Sequence, residues 1–153
     1  MKLERDAGGN LRFHLNRREA DLIAQTLRFY PLLNSDFHRL SKTLRDAKAR
    51  SAQRLLEQAM KEQRRSHKSE ADRLARAFAT SRPERAVAVR AAKVDSLLQI
   101  LNDVRVGSWV KLGQPDFEQG QWPELTSDTA RYWVAMEASG LVESAILHSL
   151  DGI

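Results

Sequence analysis

The sequence predicts a mainly α protein, a four- to five-helix bundle over residues 16–153 behind an N-terminal β-hairpin over residues 1–15, all in one domain 1–153. Three observations carry that expectation. Apolar residues recur at steps of three and four over most of the chain, the period of a helix with one buried face. Strand-like alternation is confined to the first fifteen residues. A length of 153 residues with 42% hydrophobic and 29% charged content suits one soluble core.

In Lys2–Arg5 and Leu11–Leu15 the alternation places Leu11, Phe13 and Leu15 on a buried face, with Arg12 and His14 outward. Asp6-Ala7-Gly8-Gly9-Asn10 supplies the turn. Asn16 and Glu19 form a capping box for a first helix burying Leu22, Ile23, Thr26, Leu27, Phe29, Tyr30 and Leu33, which Pro31 ends or kinks. Phe37 and Leu40 suggest one further helical turn. From about Leu44 to Ala79 the chain holds no Gly or Pro and reads as one continuous or lightly bent helix. Its apolar stripe (Leu56, Met60, Ala71, Leu74, Phe78) is interrupted by Gln63 and His67, so that the helix either projects past the core there or breaks near Ser66–Ser69 and restarts on the capping pattern Ser69-Glu70-Ala71-Asp72. Ser81-Arg82-Pro83-Glu84 reads as the start of a third long helix, stopping at Gly113 with Pro115 beyond. A loop over residues 114–125 follows. Thr126 or Ser127 then caps a last helix burying Tyr132, Trp133, Met136, Ile146, Leu147 and Leu150, within which Gly140 permits close helix approach.

The absence of cysteine excludes disulfides, thiol catalysis and cysteine-zinc sites. No apolar run reaches membrane-spanning length, and the first residues lack the apolar core of a signal peptide, so no membrane and a cytoplasmic location are expected. The net charge of +5 is unevenly spread. Residues 1–93 carry 22 Lys/Arg against 11 Asp/Glu, and residues 94–153 carry 3 against 9. Basic helices packing beside acidic ones, within the fold or in a homodimer, would account for this; so would an acidic or nucleic-acid partner.

Four constellations stand out. Arg105 falls near the centre, within about 35°, of the face made by Val94, Leu97, Leu98, Leu101, Val104, Ser108, Trp109 and Leu112. A guanidinium there needs a carboxylate or a wet cavity. Glu143 and Glu19 sit on equally apolar faces, so a structural buried pair or triad of Arg105, Glu143 and Glu19 is expected, with an anion or small-molecule site at Arg105 as the sharper alternative. Beside it Asn102 and Asp103 form a polar signature, Asp103 placed to bond backbone groups of a neighbouring element such as the loop after Pro31. The basic helix 39–68 holds ten Lys/Arg against three acids, and Arg54, Lys61, Arg64, Arg65 and Lys68 are its candidate nucleic-acid contacts. Phe117 and Trp122 in the loop form a candidate partner patch. His14, His38, His67 and His148 lie on separate elements without metal-site spacing, so neither metal nor cofactor is expected. No nucleophile, base and orienter fall at a telling spacing, and no catalytic residue is assigned.

Leu101-Asn102-Asp103-Val104-Arg105 followed by Lys111-Leu112-Gly113 resembles the L-N-D-x-R…R-L-G signature of a bacterial domain family of unknown function. Its best-described branch is the actinobacterial oxidative-stress regulator (AosR) type. Lys111 stands where arginine is usual. The resemblance is specific around residues 101–113 and patchier elsewhere. It implies a helical regulatory or interaction protein, makes contact with DNA or the transcription machinery more plausible, and supplies no catalytic residues. Redox sensing in that branch depends on cysteines, and this chain has none. The expectation is therefore a cytoplasmic, non-enzymatic regulator or adaptor working through protein contacts, with a protein partner or a homodimer. The alternative is a nucleic-acid-binding transcription regulator using helix 39–68.

Overall fold

The computed structural model describes residues 1–33 and 47–151. Its described elements are β1 (Lys2–Arg5), β2 (Leu11–His14), α1 (Arg17–Arg28), α2 (Ala47–Ala79), β3 (Val87–Val89), α3 (Ala91–Lys111) and α4 (Ala130–Asp151), with a short 3-10 turn at Phe117–Gln119. The architecture is mainly helical with an N-terminal antiparallel hairpin, as the periodicities predict. The expected turn at Phe37 and Leu40, and the basic residues Arg39, Lys42 and Arg45, lie outside the described residues.

Hairpin and helices share one core. Leu11 and Phe13 are fully buried, and the Phe13 ring meets Phe78 of α2 edge-on at 5.4 Å. Asn16 caps α1 through the Glu19 backbone N–H while the Glu19 carboxylate returns to the Asn16 N–H, closing the predicted box. On α2, by contrast, burial begins only at Glu70 and continues through Ala71, Leu74, Ala75 and Phe78. No residue from Ala47 to Ser69 is fully buried, and along this stretch of about 35 Å the helix only half-buries one face, at Ala49, Gln53, Met60, Arg64 and His67. The polar interruptions at Gln63 and His67 mark that change.

The third helix starts later than its sequence signal. Residues 83–85 form a turn, and Val87–Val89 adds a third strand antiparallel to β2, pairing Leu11 with Val89 and Phe13 with Val87. Burying Val87 and Val89 against the hairpin outweighs the capping pattern at Ser81, because that pattern alone contributes only about 1 kcal/mol. The N-cap of α3, Arg90, makes no side-chain cap bond. Asn10 in the hairpin turn does it instead, its Oδ1 accepting from the Ala91 N–H at 2.9 Å.

Helices α3 and α4 form the C-terminal hairpin, and α3 buries residues around about half its circumference. Leu147, expected inside, is half exposed on the outer side of α4. No helix among the described residues is long and apolar enough to cross a membrane.

Candidate functional site

The polar signature on α3 is a joint between elements. Asp103, 8% exposed, accepts from the backbone N–H of Leu32 at 2.7 Å and of Leu33 at 3.4 Å. One turn later Gly107 lets the same segment touch the helix: a Cβ there would lie 2.4 Å from Leu32 Cβ. Asp103 and Gly107 thus dock the chain leaving α1, just after the cis Tyr30–Pro31 bond, onto α3. Gly140 is not the close-approach glycine, since a Cβ there meets nothing nearer than Arg105 Cδ at 3.6 Å.

Arg105 is not buried. Its side chain is 45% exposed, with Nη2 donating to Asn102 Oδ1 at 2.9 Å and Nε 3.6 Å from Glu143 Oε1. The true buried arc of α3 runs from Asp103 through Gly107, Ile100 and Val104 to Leu101, which leaves Arg105 at its margin. Glu143 is the more enclosed partner at 15%, and burial pushes its carboxyl above the ordinary range despite the nearby guanidinium. Glu19 takes no part in a triad. Its carboxylate is engaged by its own cap and by the Met1 amino group at 2.7 Å, which hold its pKa below the usual value. The pair therefore exists as a loose, half-solvated contact between α3 and α4, and the buried triad does not form.

The loop after α3 builds a surface of a different kind. Phe117 (38% exposed) and Trp122 (71%) meet at 5.6 Å, and both rings reach Trp133 at the start of α4, at 6.0 and 6.1 Å. Bonds in and around the loop hold the three rings. Asp116 Oδ1 accepts from the Glu118 and Gln119 N–H groups, and Gln121 Oε1 accepts from the Asp116 N–H. Gly120 takes the left-handed conformation the turn needs, and Trp109 Nε1 donates to the Pro115 carbonyl, fastening the loop to α3. Exposed Asp116, Glu118, Glu124, Asp128 and Glu137 lie in the loop or within one turn of Trp133. Trp133 was expected in the core; its position just past a loop with two other aromatics was the signal for a shared cluster.

The basic residues of α2 divide. At 100° per residue Arg50, Arg54, Lys61, Arg65 and Lys68 share a sector about 60° wide, away from the face that carries Ala71, Leu74 and Phe78 inward. Lys68 pairs with Asp72 at 2.9 Å, and Arg54 Nη2 donates to Ser51 Oγ at 3.3 Å. Arg64 leaves the exposed sector: it is half-buried and its guanidinium lies toward Tyr30. Next to it His67 lies 6.2 Å from the Tyr30 ring, its pKa lowered chiefly by burial.

Among the described residues no group of three or more His, Asp or Glu is placed to hold a metal ion. An open hollow of about 500 Å³ is lined by Asp6, Asn10, Arg12 and Arg90 at the hairpin turn and the start of α3, not by Arg105. Comparison with protein-family models, with curated proteins and with solved structures gave no match.

Proposed function

We propose that this chain is a non-enzymatic regulatory or adaptor protein of the cytoplasm, holding a protein partner on the surface of Phe117, Trp122 and Trp133. The observation that supports this reading is Trp122, 71% exposed within a three-ring cluster whose loop is tied down by its own hydrogen bonds. Aromatic side chains on a pre-ordered loop lose little freedom on binding and supply much of the energy at interface centres. The likeness of residues 101–113 to a domain family of unknown function whose best-described branch is a regulator points the same way.

A photo-crosslinking residue at position 122, placed in the living host, tests it. A discrete adduct with another polypeptide, lost when Phe117 is changed to Ala and absent with the probe at exposed Arg18 of α1, is the expected result. Equal labelling from both positions removes the reading.

The exposed ridge of α2 supports a second reading, contact with nucleic-acid phosphates. Five cations contacting five phosphates would give a plot of log affinity against log salt with a slope of about −4.5. Retention on duplex DNA that ignores salt eliminates it.

A further inference from the structure

Two surfaces of the same chain carry opposite charge. Residues 47–68 of α2 hold Lys48, Arg50, Arg54, Lys61, Arg64, Arg65 and Lys68 against Glu57 and Glu62, and none of them is buried. Residues 113–151 hold seven Asp/Glu against Arg131, and five of those acids, all exposed, fall in or beside the aromatic loop. Tryptophan faces attract guanidinium and ammonium groups, and a carboxylate rim adds long-range attraction. The chain shows that chemistry on a small scale, with Arg131 4.8 Å from the Tyr132 ring centre.

Both surfaces lie at the end of the bundle away from the sheet. Phe78 of α2 rests on Phe13 and Ala91 of α3 is bonded to Asn10, whereas Gln63 reaches Gln99. Running away from the sheet, α2 is therefore followed toward its N-terminus and α3 toward its C-terminus, where the aromatic loop begins.

Resting on the reading of this loop as a docking surface, we propose that its occupant is a second copy of this chain, which seats the Arg50–Lys68 ridge of α2 on the aromatic, acid-rimmed patch. Reciprocal exchange about a two-fold axis makes two such contacts and closes a dimer. The ridge spans about 27 Å and a helix is about 10 Å wide. Two contacts then bury roughly 1,100 Å², counting both partners, at the lower edge of specific interfaces. Association of that size is weak and reversible, and its charges make it sensitive to salt.

Sedimentation equilibrium of the full chain, from low micromolar to several hundred micromolar, is the test, at low salt and again near 0.5 M where the screening length is about 4 Å. The wild type is expected to dimerise at low salt, with at least a tenfold weaker Kd at high salt. Lys61→Glu/Arg65→Glu and Trp122→Ala should each weaken it at least tenfold, with unchanged helix content by circular dichroism. A wild type that stays monomeric at low salt overturns the proposal, as does either variant dimerising as tightly as the wild type. If the monomer still yields the specific adduct from position 122, self-association fails while the docking surface stands; with neither, both fail.

Discussion

Gly107→Ala is expected to be the most damaging single methyl group that can be added to α3. The new Cβ would lie 2.4 Å from Leu32 Cβ, 3.2 Å from the Leu32 carbonyl carbon and 3.3 Å from the Leu33 nitrogen. Ordinary carbon contacts need about 3.5–4.0 Å, so the segment must retreat by more than about 1 Å. Leu32 cannot retreat freely, because its N–H is held by Asp103 at 2.7 Å. Overpacking costs about 1–3 kcal/mol. Stretching a hydrogen bond to a charged acceptor adds about 1.5–3 kcal/mol, and removing a helical glycine returns up to about 1 kcal/mol. The net loss is about 2–5 kcal/mol, or a fall in Tm of about 5–15 °C at this chain length. Thermal and urea unfolding followed by the helical circular dichroism signal measure it. Gly140→Ala is the control: its Cβ meets Arg105 Cδ at an ordinary 3.6 Å, so it should be neutral or stabilising by up to about 1 kcal/mol. If Gly107→Ala melts at or above the wild-type temperature, the close approach of Leu32 to α3 is wrong.

Three further outcomes follow from the same contacts. Asp103→Ala should cost about 2–4 kcal/mol by stranding the Leu32 and Leu33 N–H groups, whereas Asp103→Asn keeps an acceptor and should cost less; equal losses would count against the backbone bonds, and both are read by urea unfolding. Asn10→Ala should lower stability by about 1 kcal/mol, the worth of a helix cap, and hydrogen exchange should speed up in the first turn of α3; unchanged exchange there would show that Asn10 does not cap it. Glu143 carries the pH prediction. Burial raises its folded pKa, so the folded protein takes up this proton before the unfolded chain does. The resulting penalty is full above the folded value and absent below the ordinary 4.5. Glu143→Gln should therefore be the more stable protein at pH 7, with the gap closing as pH falls through the raised folded value and gone below about 4.5; a gap that widens toward acid refutes the assignment.

What was legible in the sequence is what short-range patterns control. The capping box at Asn16 and Glu19, the burial of Leu11 and Phe13 and the unbroken α2 all follow from periodicity and local chemistry. Asp103 was readable too, since its position off the leucine face left a backbone partner as its natural role. Arg105 misled because α3 is apolar around most of its circumference. A helix buried on two sides has no single face, and choosing the one that contains Trp109 and Leu112 put a marginal residue at its centre. The strand Val87–Val89 was hidden by its three-residue length, too short for alternation to register beside a strong proline-containing start signal. Gly107 and the Asn10 cap depend on partners 75 and 81 residues away, and no local pattern encodes such a meeting.

The three-stranded sheet also sets an order of events in folding. The β2–β3 ladder joins Leu11–Phe13 to Val87–Val89 and so closes a loop containing all of α1 and α2. Closing so long a loop costs entropy before any contact repays it, whereas the α3–α4 hairpin closes over a short connection. Substitutions at Val87 or Val89 should thus speed unfolding and leave the folding rate nearly untouched, with φ-values near zero, while those between α3 and α4 should slow folding. The small sheet would be the last piece to form, a latch that shuts on helices already assembled.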